Sequence, residues 1–154
     1  MPIAPDATDR RLLALLQTDA SVTNQALAER AHISPATCLR RVRRLVEAGV
    51  IERVTAIVSP DSLGAGMTAV LEVTLDRQDA EALAAFEAHV AGEPAVQQCY
   101  RVAAGPDFVL IVYVADMPQY HAFVQQRLTA VANVRNVRAF FVVKRSKFAP
   151  AIPV

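Results

Sequence analysis

Four arginines within five positions, Arg40, Arg41, Arg43 and Arg44, are the residues of this chain best equipped for chemistry with a charged partner. A guanidinium is planar, permanently charged and rich in donors, so it meets a phosphate or a guanine edge with paired hydrogen bonds. The four sit in Ser34-Pro35-Ala36-Thr37-Cys38-Leu39 and the residues that follow, up to Gly49. Ser34 suits an N-cap, Pro35 suits the first helical position, and Gly49 can take the left-handed stop. On a wheel of ~100° per residue with Arg40 at zero, Cys38, Leu39, Val42, Leu45 and Val46 fall between roughly 140° and 260°. The arginines fall between about −60° and +100° on the same wheel. One face is expected to enter a core and the other to face a polyanion. A charge run is more often only a solvated face. Here Glu47 is the sole acid nearby on that face, and like charges at i,i+4 repel without a counter-ion.

Other chemistry is poorly supplied. His32, His89 and His121 are scattered, with no nucleophile, P-loop or zinc spacing around them. Cys38 and Cys99 are too few for a metal knuckle and lie in apolar runs, so both are expected to be buried hydrophobes. No catalytic residue, metal site or cofactor is expected, and the chain does not read as an enzyme.

The elements that would position the arginines belong to a globular chain of 154 residues, 53% hydrophobic and 20% charged, with a net charge of +1. Residues 1–60 hold eight arginines against six acids, and residues 61–154 eight cations against nine acids. DNA binding must therefore rest on local geometry, not on bulk charge. No apolar run approaches the ~20 residues of a membrane span, and the N-terminus lacks the features of a signal peptide. A cytoplasmic location without membrane contact is expected.

Thr8 or Asp9 can open a first helix with Leu12, Leu13, Leu15 and Leu16 as its stripe. Thr23 can cap a second, Asn24 to Ala31, with Ala26, Leu27 and Ala31 inward. The turn His32-Ile33-Ser34 then leads into the arginine helix, which makes a three-helix domain with a helix-turn-helix. Pro35, Ala36, Thr37, Arg40 and Arg41 become the candidates for base edges, since such a helix reads with its N-terminal residues. Arg43 and Arg44 are expected to bind phosphate or pair with Glu47. Thr23, Asn24 and Ser34 stand at helix N-termini, where phosphate oxygens bind. The partner would be double-stranded DNA, and a two-fold dimer would read a pseudo-palindromic operator.

Residues 50–66 are expected to form a short β strand and hinge, separating a domain of residues 1–49 from one of residues 67–154, with the boundary near Pro60 to Gly66. The remainder alternates: strand Met67 to Leu75, helix Asp79 to Ala91, strand Val96 to Ala103, strand Phe108 to Ala115, helix Asp116 to about Ala132, strand Val134 to Lys144, and a loose tail from Pro150. That order, βαββαβ, is ferredoxin-like, and the whole chain is α+β. The strand from Phe108 to Val114 is almost wholly apolar and asks for cover on both faces. A second copy supplies it most simply, the N-terminal domain being the alternative.

With these elements in this order, the chain resembles the Lrp/AsnC (leucine-responsive / asparagine-responsive) family of transcription regulators. The markers are Asp9-Arg10, Ile33-Ser34-Pro35, the string from Cys38 to Leu45, Gly49-Val50-Ile51, Asp116-Met117 and Phe140-Phe141-Val142-Val143. The resemblance implies a homodimer through the C-terminal sheets, often four dimers in a ring, hence an octamer. It also implies an amino-acid effector near Ala103-Ala104-Gly105-Pro106-Asp107-Phe108, at a contact between dimers that it bridges, with Asp107 toward the ammonium group and Tyr100, Phe108, Met117 and Phe141 lining an apolar pocket. Here Ala104 stands where the family has its loop glycine, Gly105 comes one residue late, and Pro106 lacks an amide. A plain hairpin turn is the other reading of this loop. His32 stands where the family has glycine; a strained turn and a phosphate contact are both open to it. A ligand-binding or assembly module without specific DNA readout is the alternative function.

Overall fold

Asp6 opens the first helix. Its carboxylate accepts the Asp9 amide at 2.8 Å, and the Asp9 carboxylate accepts the Asp6 amide at 3.1 Å, a reciprocal capping box. The expected opener, Thr8 or Asp9, is corrected by two or three residues, because Asp9 spends its side chain closing the turn. The computed structural model describes residues 4–63, 66–130 and 133–154. The extreme N-terminus, part of the expected hinge (residues 64 and 65) and the expected helix end at Ala132 lie outside them.

Three helices follow one another: α1 (Ala7–Thr18), α2 (Asn24–Ala31) and α3 (Pro35–Glu47). Thr23 caps α2 by accepting the Ala26 amide at 3.2 Å, and Ser34 caps α3 by accepting the Thr37 amide at 3.3 Å. Leu12, Leu27, Ala28, Ala31 and Cys38 form their common core, with Leu15, Leu16, Ile33 and Val42 at its margin. Leu39 and Val46 were expected in this core, but they stand 51% and 50% exposed. Three short helices do not wrap the full ~120° of apolar arc that α3 offers. The chain turns at Gly49, whose φ is +71°, the left-handed stop.

Residues 50–58 form no strand. The run is rich in β-branched residues, but it has no ladder partner among the described residues, and Val54, Ile57 and Val58 are exposed. Propensity without a partner does not make a sheet. The chain divides into two compact units, the first reaching Ile57 and also taking in Lys147–Val154, the second being Val58–Ser146. The tail expected to be loose is tied within the first unit. The Gln17 side chain donates to the Ile152 carbonyl at 2.9 Å and accepts the Ile152 amide at 2.7 Å.

The second unit contains β1 (Met67–Leu75), α4 (Ala80–Ala91), β2 (Val96–Arg101), β3 (Phe108–Val114), α5 (Met117–Phe123) and β4 (Val134–Phe141). The strands form one antiparallel sheet in the order β2-β3-β1-β4, the ferredoxin-like arrangement. Phe86 and Val90 of α4 and Tyr120 and Phe123 of α5 pack with Leu71, Val73, Leu75, Phe108, Leu110 and Val112, so both helices cover one face. Asp79 and Asp116 cap these helices. Beyond α5 the helix widens into a π-turn, Val124–Thr129, which keeps Leu128 in the core. Cys99, expected inside, is exposed although it pairs with buried Leu110, because β2 is an edge strand left uncovered along most of its length.

The expected two-sided burial of β3 is only half met inside the unit. Phe108, Leu110, Val112 and Val114 are buried, while Val109, Ile111 and Tyr113 are half-buried on the opposite face. On that face Ile111 lies beside Val70, and Val70 beside Phe140, which is 43% exposed.

Candidate nucleic-acid interface and effector loop

The turn that aims α3 rests on His32. Its φ of 56° and ψ of 47° place it in the left-handed region, where a non-glycine residue is uncommon but His is tolerated. The His32 amide donates to the Glu29 carbonyl at 3.1 Å and the Ile33 amide to the Ala28 carbonyl at 3.0 Å, closing the end of α2. Arg11 of α1 donates to the last carbonyl of that helix, Ala31, at 3.0 Å. Asn24 is committed as well, donating to the Pro35 carbonyl at 2.9 Å and so fastening α2 to the start of α3.

The N-terminal turn of α3 is open to solvent at Ser34, Pro35 and Ala36, with Thr37 half-buried. The Ser34 hydroxyl donates to the Thr37 hydroxyl at 2.8 Å, so the two side chains hold each other at the tip. Arg40 and Arg43 are exposed, with no ion pair among the described residues. Ala36, Arg40 and Arg43 fall within about 60° on the wheel, with exposed Leu39 at their flank.

The other two arginines differ from the sequence expectation. Arg41 was expected to read bases. Its Nη1 instead donates to Asp6 at 2.7 Å and to Asp9 at 2.8 Å, and its side chain is only 22% exposed. Arg44 was expected on phosphate or on Glu47. Its Nη2 is hydrogen-bonded to the other oxygen of Asp9, and no ion pair to Glu47 occurs among the described residues. The wheel of one helix cannot show this, because the acids lie on α1, more than thirty residues earlier. Asp9 is fully buried. With the Asp6 amide and two guanidiniums on it, its charge is compensated as a buried carboxylate requires. The Asp9 amide, and then Arg41, hold the Asp6 carboxyl below its ordinary value of 3.8, and both acids push Arg41 upward.

The loop expected to hold an effector is also largely spoken for. Asp107 Oδ2 accepts the Leu75 amide at 2.7 Å and the Gln78 side-chain amide at 3.2 Å. Its backbone amide donates to Val73 at 2.9 Å. The acid thus ties the turn to the end of β1. Its Oδ1 accepts no hydrogen bond among the described residues. Ala103, Ala104 and Gly105 are exposed, Pro106 is half-buried and Gly105 has a φ of +89°, so this is a left-handed hairpin turn.

The apolar pocket expected around this loop does not form within one chain. Phe108 is fully buried in the core, 4.7 Å from Phe86. Tyr100 pairs with Val109 and so lies on the opposite sheet face. Met117 and Phe141 stand toward the other end of the sheet: Phe141 pairs with Ala69 and meets Tyr120 edge-to-face, ring centroids 4.9 Å apart, and Met117 follows the end of β3. Through Ala69, Phe141 lies level with Val112 of β3, four residues from Phe108, roughly 13 Å along the strand, and Met117 lies beyond the end of β3. The pocket implied by the resemblance lies at a contact between dimers, so one chain supplies only parts of its lining.

Comparison with known proteins follows the same division. Residues 5–52 match the description "Winged helix-turn-helix DNA-binding", and residues 68–152 match "Lrp/AsnC ligand binding domain". A leucine-responsive regulatory protein of Rhizobium meliloti is 38% identical over 149 residues, covering 97% of this chain and 96% of its own. A transcriptional regulator of Bacillus subtilis is 32% identical over 154 residues, covering 100% and 98%. Among solved structures, a transcriptional regulator of Neisseria meningitidis in complex with L-methionine superimposes with a TM-score of 0.88 at 32% identity, covering 97% of each chain.

Proposed function

This chain belongs to the Lrp/AsnC family of transcriptional regulators, and from that premise we propose how its surfaces divide the work. A symmetric homodimer reads a pseudo-palindromic DNA operator with the exposed tip and stripe of α3. Arg40 takes a guanine edge, Ala36 and the Thr37 methyl meet thymine methyls, and Arg43 and the amides near Ser34 hold phosphate. The observation that carries this reading is the solvent-facing stripe of Ala36, Arg40 and Arg43 on a helix whose other two arginines are already neutralised. Dimerisation uses the open sheet face around Ile111, Val70 and Phe140, an apolar surface left half-covered within the unit.

An amino acid acts as effector in the sheet unit. Asp107 Oδ1 is free to meet its ammonium group, and Ala104, Gly105 and Pro106 shape the approach. Tyr100 lies on the sheet face opposite the core. Because Met117 and Phe141 lie toward the opposite end of the sheet, they can share a ligand with Asp107 only across two copies. That supports an effector that bridges copies and alters assembly toward an octamer, moving the paired DNA heads. The L-methionine complex of the Neisseria relative supports the ligand class. Absence of any long apolar helix among the described residues is compatible with action in the cytoplasm.

Selection of bound duplexes from a random pool, with and without a mixture of the twenty amino acids, tests both parts. The expected result is an inverted repeat whose half-sites lie about one helical turn apart, with enrichment that changes when amino acids are present. Enrichment of asymmetric sequences breaks the dimeric reading. Enrichment indifferent to every amino acid, with no calorimetric heat, leaves residues 103–108 as a hairpin turn alone.

A further inference from the structure

The arginine helix is the most cationic element of the chain, yet half of its charge is turned inward. Asp9 lies at the third position of α1, fully buried, and uses both oxygens. Oδ1 accepts from Arg41 at 2.8 Å, and Oδ2 accepts from Arg44 and from the Asp6 amide. Asp6 takes a second bond from the same Arg41 nitrogen at 2.7 Å. Two carboxylates and two guanidiniums make a neutral group, and it spans from α1 to two successive turns of α3. Arg41 Nε is buried beside it without a partner. That cost is accepted only where the rest of the guanidinium is held firmly.

Arg44 carries the argument further. Its side chain is 48% exposed and has room to extend into solvent, where Arg43 stands exposed one residue earlier. It folds back onto a buried acid instead. A surface ion pair would not hold it, being worth little in water. A pair with a fully buried carboxylate does, because leaving that carboxylate with one cation fewer is costly.

We propose that Asp9 is a positioning residue that sets DNA specificity: it withholds Arg41 and Arg44 from phosphate and fixes the angle at which α3 presents Ala36, Thr37 and Arg40. The proposal rests on DNA reading by α3 and adds to it a division of the four arginines. Non-specific affinity grows with every phosphate neutralised, whereas specificity comes from side chains held in register on base edges. By holding two cations back, Asp9 lowers the first and protects the second.

The test uses the full chain, the duplex enriched from the random pool, and a scrambled duplex of the same length, each titrated across a salt series. Asp9→Asn preserves volume and removes the charge. It is expected to bind the scrambled duplex about tenfold more tightly at ~0.1 M salt, with a log–log salt slope steeper by about one to two. The ratio between the two duplexes falls about tenfold. Arg43→Gln lowers the wild-type slope by about 0.9, and Arg44→Gln leaves it unchanged. The arginine variants test the division even where Asp9→Asn fails to fold. A purely structural Asp9 would weaken both duplexes alike and leave the slope unmoved, which overturns the proposal. So does an Arg44→Gln slope that falls as far as that of Arg43→Gln. Wild-type binding to the selected duplex reports on DNA reading, and the variants report on the clamp, so the two fail separately.

Discussion

Asp9 and Asp107 both reach across the chain. Asp9 meets arginines 32 and 35 positions later, and Asp107 meets the end of a strand 32 positions earlier. Asp9 is fully buried, with both oxygens occupied and two cations upon it. Asp107 is half-buried, with one oxygen occupied by neutral amides. The difference lies in what each can still do. A carboxylate saturated on every side is fixed in place and acts only through its neighbours. One that keeps an oxygen unbonded braces a turn and still has capacity for a charged ligand.

Truncation separates the two most sharply. Asp9→Ala strips a buried acid from two guanidiniums and is expected to destabilise the helical unit by about 3–5 kcal/mol. Asp107→Ala removes bonds to one backbone amide and one side chain, and is expected to cost the sheet unit about 1–2 kcal/mol. Urea titrations read by amide exchange, so that α1 and α3 report apart from β1 and β3, provide the check. Equal costs would erase the distinction between the two acids. Asp107→Asn sharpens it: the turn keeps an acceptor for Leu75 while the charge is lost. Stability should therefore stay within about 1 kcal/mol of wild type while calorimetric heat from an amino acid disappears.

A smaller effect tests the turn that aims α3 without touching the clamp. His32 holds a left-handed conformation, which costs a non-glycine residue on the order of 1 kcal/mol. Glycine takes that conformation freely but leaves a more flexible unfolded chain. His32→Gly is expected to stabilise the helical unit by roughly 0.5 kcal/mol, the balance of those two terms. His32→Val, β-branched and poorly tolerated there, should destabilise it. If His32 instead reaches a phosphate, His32→Gly lowers the salt slope by about 0.9; an unchanged slope leaves only the strain.

What could be read from the sequence was whatever lies within one turn or one strand. Thr23, Ser34 and Asp116 mark helix starts because each side chain accepts an amide three residues on, while Pro35 and Gly49 mark a start and a stop through their own φ. Strand β1 was legible to the residue from its apolar run. Contacts across the chain were not. The partners of Arg41 and Arg44 lie on another helix, and a wheel drawn for α3 alone leaves their charge unopposed. Val54, Ile57 and Val58 have strand-forming side chains but no strand to pair with. Leu39 looked like core because its angle on the wheel was apolar, yet two neighbouring helices cannot cover so wide an arc. The proposed effector residues show the same limit: a list of loop and strand residues does not say which end of the sheet each occupies, and so which of them one chain can bring together.

Acid tests what the Asp6 charge contributes. Asp6 is half-exposed, and its carboxyl is lowered from 3.8 chiefly by the bond from the Asp9 amide and then by Arg41. A group whose folded value lies below its unfolded value adds stability above the unfolded value and loses it as pH falls through the folded one. The Asp6 contribution should therefore be complete near neutrality and fade below about pH 4. Asp6→Asn keeps an N-cap of equal quality but has nothing to titrate in this range. The expected outcome is a lower melting temperature for the variant at pH 7, where it lacks the pair with Arg41, and a smaller drop between pH 5 and pH 2. Thermal melts across that range decide it. Parallel curves for wild type and variant would place the acid sensitivity of the helical unit elsewhere, and the capping box would then act through geometry without charge.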